Sequence, residues 1–176
     1  APARLPDRAF RDFGEGVHFD LFSLADCRGN VVIFLSQVDV ASGLQVVTPT
    51  ESKRPDVVIE RALDTWITPF GRPEVALVDG GGEFEREFSQ VLEDLGCRTR
   101  MDPAEAPNYH AKVERAGGAR KYAARHVIDS QNLLFDAAWK PKWLCACVNW
   151  ARNSEPNESG FSLSQWAFGR GLRLPM

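Results

Sequence analysis

Apolar and polar positions along this chain first alternate and then cycle at helical spacing, and the two periods mark its elements. Residues 16 to 24 (GVHFDLFSL) read as a strand, apolar on both faces apart from His18 and Asp20. A turn signal at 26 to 30 (DCRGN) leads into a second strand over 31 to 38, and ASG at 41 to 43 leads into a third over 44 to 48. Three successive strands with short connections predict an antiparallel meander. The period then changes. Ile59, Ala62, Leu63, Trp66 and Ile67 form one helical face between Pro55 and Pro69. A mostly apolar strand over 74 to 79 follows. Phe84, Phe88, Val91, Leu92 and Leu95 then recur as a helix over 84 to 95, which Gly96 stops, and 97 to 101 is a short fifth strand. Strands linked through helices pair in parallel by right-handed crossovers. The order βββαβαβ therefore predicts an α/β domain, a mixed five-stranded sheet with helices on both faces.

Beyond the sheet, residues 102 to 110 (DPAEAPNYH) hold two prolines and no period, so a mobile loop is expected. Helices are predicted over about 111 to 128 and 141 to 152, the latter with Trp143, Leu144, Cys147, Val148 and Ala151 along one side. A last helix starts at Ser162, where Ser162-Leu163-Ser164-Gln165 has the spacing of a capping box. Residues 1 to 14 read as a linker or flexible segment, and 15 to 176 as one domain.

Composition narrows the picture. An apolar content of 44% is enough for a real core. No apolar run approaches the roughly 20 residues needed to cross a bilayer, and no signal segment opens the chain. With alanine at position 1, a processed piece or an excised domain is expected. Cys27, Cys97, Cys145 and Cys147 form no CxxC pair, so buried free thiols in a reducing compartment are expected rather than a zinc site. The net charge of −3 argues against a nucleic-acid partner on average, but between residues 111 and 126 five positive charges (Lys112, Arg115, Arg120, Lys121, Arg125) face the single Glu114.

Three carboxylates draw the chemistry. Asp79 stands at the carboxyl end of the 74 to 79 strand, before three glycines, where α/β folds place ligands. Alone it reads equally as a turn. Asp20 lies mid-strand among apolar neighbours, where an ionised carboxylate is costly unless paired, hydrogen-bonded or metal-bound. It is either a metal ligand or an aspartate satisfied by nearby backbone or an arginine, and His18 shares its face. Glu114 opens the helix after the proline-rich loop. Glu114, Gly118, Lys121 and Arg125 share one side of that helix, while Val113, Ala116, Ala123, Ala124 and Val127 make its buried face. The polar side is either a solvated surface or a phosphate-tracking edge beside a carboxylate. Arg120 falls on the apolar side, and the sequence offers no reason for it.

Taken in order, these motifs resemble the catalytic core of retroviral and retrotransposon integrases, a branch of the ribonuclease-H-like superfamily that includes DDE transposases. Asp20 matches the first acidic residue, in HFDLFSLADCRGNVVIFLSQVDVASG, and Asp79 matches the second, in VDGGGEF, where the family usually has Asp-Asn-Gly. Glu114 matches the third, in APNYHAKVERAGG, and GFSLSQWAFGRGLRLP resembles the segment that closes the core in long-terminal-repeat elements. The likeness spans about residues 15 to 175. Gly80 stands where Asn is usual, Ala111 where the loop usually has Gly, and Gly117 where Asn commonly follows.

The resemblance implies a ribonuclease-H-like fold and a metal-dependent polynucleotidyl transferase that processes DNA 3′ ends and inserts them into target DNA. Asp20, Asp79 and Glu114 would hold two Mg²⁺ or Mn²⁺ ions, hard cations suited to oxygen donors. The ions would clamp the attacking and leaving oxygens of an in-line phosphoryl transfer. His110, Lys112, Arg115, Lys121 and Arg125 would contact DNA. A homo-oligomer, a nuclear setting at the time of integration, no membrane and no small-molecule cofactor complete the expectation. Two alternatives stay open: a catalytically decayed or domesticated core that binds DNA or oligomerises, and a ribonuclease-H-like nuclease.

Overall fold

The strand β1 (Gly16–Ala25) lies at the centre of the sheet, buried on both faces because its apolar residues alternate to both sides. A computed structural model of the chain describes residues 10–78, 86–101, 107–156 and 159–171, with the backbone alone at 101 and 107–116. β1 pairs antiparallel with β2 (Val31–Asp39), which pairs antiparallel with β3 (Gln45–Thr50), giving the expected meander. β4 (Val75–Val78) joins the other side of β1 in parallel, and β5 (Arg98–Met101) joins β4 in parallel. The sheet order is β3-β2-β1-β4-β5. The turn from β1 to β2 is built on Asp26, whose carboxylate accepts hydrogen bonds from the backbone N–H groups of Arg28 and Asn30 and from the Asn30 side chain, at 2.8–2.9 Å. The N–H of Phe135 adds a fourth bond at 2.8 Å.

Desolvation pushes the Asp26 carboxyl up, but these hydrogen bonds outweigh it and hold the group well below the ordinary carboxylate range. A folded-state pKa below the unfolded one stabilises the fold above the unfolded value of about 4, and that contribution is lost as pH falls below it. Asp26→Asn should therefore lower the urea midpoint at pH 7. The gap between the two proteins should narrow as the titration is repeated toward pH 2. A gap unchanged by acid would remove the charge from the account.

Helices cover both faces. On one, α1 (Pro55–Ala62) runs through a π-helical turn (Leu63–Ile67) into a final turn, α2 (Thr68–Phe70), and α3 (Glu87–Asp94) lies beside it. Their core joins Val17, Phe19, Leu35, Val58, Trp66, Val78 and Phe88. Trp66, 1% exposed, has Phe70 at 5.0 Å and Phe13 at 6.0 Å between ring centroids, and Phe168 stacks on Phe70 at 5.5 Å. On the other face, α4 (Pro107–Ser130) and α5 (Trp139–Ser154) pack on Phe22, Leu24, Phe34 and Val47 through Ala124, Ile128, Leu144, Cys145 and Val148. The short α6 (Leu163–Phe168) opens on the expected capping box, with Ser162 and Gln165 bonding each other's backbone N–H.

Three expectations change. Residues 107 to 110 are helix, not loop, because Pro107 sits in the first turn of α4, where its missing N–H is no loss; residues 102 to 106 lie outside the described ones. The buried side of α5 runs through Pro141, Leu144, Cys145, Val148 and Asn153, so Trp143 and Ala151 face outward. The four thiols are free as expected, yet Cys27 is exposed beside the β1–β2 turn rather than buried.

The rotation of α5 follows from two asparagines. Asn149 accepts from the N–H of Val47 at 2.9 Å and donates to its carbonyl at 3.0 Å. Asn153 does the same for Gln45, at 2.9 and 2.7 Å. β3 is an edge strand, and these amides satisfy backbone groups that no neighbouring strand reaches. Asn153→Ala would orphan a buried N–H and a buried C=O, each worth about 1–3 kcal/mol. A loss of about 2–4 kcal/mol in urea unfolding is expected. A loss under 1 kcal/mol would show that water takes the place of the amide.

Candidate functional site

The parallel pairing of β1 with β4 sets the candidate site. Its register runs Gly16 to Val75, Val17 to Ala76, His18 to Leu77 and Phe19 to Val78. Asp20 is therefore the next residue along β1 from the last pair, and Asp79 is the next residue in the chain after Val78. Asp79 itself lies outside the described residues, as does Gly80. Asp20 follows the period-two pattern of β1: its side chain shares a face with His18 and Phe22, and that face is the one under α4 and α5. His18 is 6% exposed, a rim residue of the core beside Asp20.

The backbone of α4 carries Glu114, His110, Lys112 and Arg115, whose side chains are outside the described residues. Lys121 and Arg125 are described. Lys121 is exposed, with its ammonium 5.8 Å from the centre of the Phe22 ring. Arg125 is half-exposed and partly engaged: it donates to the carbonyl of Ala25 at 3.0 Å and lies 3.8 Å from Asp129, one helical turn on. Both sit on the side of α4 predicted for them.

The one residue for which the sequence offers no reason lies against Asp20. Arg120 is 4% exposed and lies on the underside of α4, in line with Ala124 and Ile128 at intervals of four. Its Nη1 donates a short hydrogen bond to Ser36 Oγ, and its Nη2 lies 3.7 Å from Asp20 Oδ2. Ser36 is the antiparallel partner of Asp20 across β1 and β2, so one guanidinium spans a cross-strand pair. The plane of the guanidinium caps the ring of Phe22 at 4.9 Å, and Phe22 stacks on its own cross-strand partner Phe34 at 5.5 Å. Burial lowers the Arg120 guanidinium to about 10, opposed by the charge of Asp20, so it remains a cation at neutral pH. Gly117, one turn earlier, is its near neighbour: a Cβ there would stand 3.4 Å from Nη2, at the edge of ordinary contact. The helix stays unbroken through the Gly117-Gly118 pair. One signal for Arg120 was present in the sequence, an arginine on the apolar side of the wheel three residues after a glycine.

As for metal, Asp20, Asp79 and Glu114 make an all-oxygen donor set of the kind hard divalent cations take. The Asp20 side chain is 29% exposed, open to an arriving ion and dry enough for its charge to matter. The residue types suit such ions; of the three side chains only that of Asp20 is described, with the positive charge of Arg120 beside it. Among the described residues alone, no group of three or more His, Cys, Asp or Glu side chains could hold a metal.

No protein-family model matches the chain, and no curated protein matches it in sequence. Solved structures do. The chain is similar to the HTLV-2 integrase catalytic core domain in complex with magnesium in its trimeric form, with a TM-score of 0.71 and 19% identity over 91% of this chain and 99% of that one. The dimeric form of the same core matches with a TM-score of 0.71 and 18% identity, over 93% and 100% of the two chains. A simian T-cell lymphotropic virus intasome in complex with PP2A regulatory subunit B56 gamma matches with a TM-score of 0.73 and 19% identity; the whole of this chain spans 63% of that one. The mixed five-stranded sheet with its helices is thus the ribonuclease-H-like fold of retroviral integrase catalytic cores.

Proposed function

We propose that this chain is the catalytic core of an integrase-type polynucleotidyl transferase, which trims DNA 3′ ends and joins them to target DNA. The observation that carries this reading is the position of Asp20, on the central strand, one residue past the last β1–β4 pair and under the helix that bears Glu114. Asp20, Asp79 and Glu114 would hold Mg²⁺ or Mn²⁺, and a neighbour solved with magnesium supports that choice. Bound there, a pair of divalent cations supplies activation of the attacking oxygen and charge neutralisation at the leaving one.

The chain's own groups do the rest. Asp20, on the central strand beside the end of β4 and under α4, would be one of the carboxylates that hold the ions. Lys121 and Arg125, and with them His110, Lys112 and Arg115 from the first half of α4, would hold phosphates and orient a strand without reading its sequence. Arg125 is already anchored to the Ala25 carbonyl, so its charge is presented from a fixed position.

A second copy of the chain is the expected partner beside DNA. Trp139, Trp143 and Trp150 are exposed at spacings of four and seven, one side of α5, and the HTLV-2 core was solved as dimer and trimer. The place of action would be the nucleus, where target DNA lies. No described helix is long and apolar enough to cross a membrane.

The test is joining of a labelled blunt DNA duplex to a plasmid in Mn²⁺, run beside an RNA–DNA hybrid. Joined product supports the transferase. Cleavage of the hybrid alone would make the chain a ribonuclease-H-like nuclease. Binding of DNA with no Mn²⁺ uptake and no cut product would make it a decayed core.

A further inference from the structure

Arg120 is a buried charge that the proposed reaction does not use. Stability does not call for it. A buried guanidinium gives up its hydration, and an apolar residue of similar volume in such a place is often neutral or stabilising. Here that residue would pack on Phe22, Phe34 and Ala124, which already form one core. Arg120 Nε makes no hydrogen bond among the described residues. The two polar groups it does reach are Ser36 and Asp20, cross-strand partners.

We propose that Arg120 is a built-in counter-cation for Asp20, one that holds the carboxylate in the ion-free site and weakens the affinity of that site for divalent cations. The inference rests on the reading of Asp20, Asp79 and Glu114 as metal ligands. The guanidinium takes one unit of negative charge off that set, and an arriving divalent cation meets it across a single carboxylate. At contact range even fully water-screened charges of this size change a binding constant by about tenfold, and the site is drier than water. Arg120 is a positioning residue: it acts on the reaction only through Asp20. Its hold on Ser36 keeps it in place when Asp20 turns toward an ion.

The experiment counts Mn²⁺ bound to the chain by the loss of the free-ion signal in electron paramagnetic resonance. Wild type, Arg120→Met, Arg120→Gln, Arg120→Lys and Asp20→Asn are compared, with circular dichroism to check that each is folded. Arg120→Met is expected to bind Mn²⁺ about tenfold more tightly than wild type or better. Arg120→Gln, which keeps a donor for Ser36 but no charge, should follow it and carries the test should the Met variant not fold. Arg120→Lys keeps the charge and should stay near wild type; a Lys variant as tight as the Met variant would trace the gain to packing and overturn the proposal.

Two failures are distinguishable. If wild type binds Mn²⁺ through Asp20 and neither neutral variant binds more tightly, the counter-cation falls and the metal site stands. If neither wild type nor the neutral variants take up Mn²⁺, or Asp20→Asn binds as well as wild type, the metal-site reading falls and the inference with it.

Discussion

Asp20→Asn, Asp79→Asn and Glu114→Gln should each lower Mn²⁺-dependent end trimming and strand joining by at least about a thousandfold. Each change keeps the shape of the side chain and removes the charge and one oxygen donor. Metal-based stabilisation of a phosphoryl-transfer transition state is worth several kcal/mol, and each 1.36 kcal/mol is about tenfold in rate. Asp20 has a second consequence that the others do not share. Its charge lies 3.7 Å from the buried Arg120, and an amide there would leave that guanidinium with Ser36 and the Phe22 ring. Asp20→Asn should therefore also lower the urea midpoint, and adding Arg120→Met should restore the midpoint without restoring activity. Activity within tenfold of wild type in any of the three would take that residue out of the site.

The largest loss of stability is expected at Trp66. Its indole is 1% exposed and lies in the π-helical turn, between Phe70 and Phe13, with Phe168 on the far side of both. That cluster ties the segment before β1, the end of the α1–α2 run and α6 into one packed unit. Trp66→Ala removes the central ring, and truncations of this kind cost about 3–5 kcal/mol when the cavity cannot collapse. Against a total stability of about 5–15 kcal/mol, that is a large share. Trp66→Phe, which refills part of the space, should lose markedly less. Urea unfolding followed by circular dichroism gives both numbers. A loss below about 1 kcal/mol for Trp66→Ala would mean that the cluster closes over the gap.

The sheet was legible because its strands announce themselves in two ways. β1 and β2 alternate their apolar residues to both faces, and Asp26 and Gly29 punctuate the turn between them. The period change at Pro55 marked the first helix, and the run from Val75 to Val78, buried throughout, could only be an interior strand. The rotation of α5 was not legible. A hydrophobic wheel assigns Trp143 inward and has no way to rank it below Asn153, yet two asparagine amides with four backbone bonds decide the matter. Arg120 was half legible. The wheel placed it on the buried side, but its reason is a contact with residues 84 and 100 positions away in the chain, which no local period encodes. Of the three candidate carboxylates, Asp20 alone has a described side chain. The alternative first open for it, an aspartate satisfied by an arginine, is present in the structure beside the metal-ligand reading and is compatible with it.

The amides of Asn149 and Asn153 have one more effect. Four residues of helix advance about 6 Å and two residues of strand about 6.6 Å, so the two side chains meet alternate residues of β3 only if α5 runs alongside the strand, in the opposite direction. Helix and strand then measure each other like the scales of a vernier. A single residue inserted between 149 and 153 would turn the second amide by about 100° and break the match. The same pair also seals that rim of the sheet against another chain's strand. A second copy approaching that rim would meet the outer surface of α5, with its exposed tryptophans.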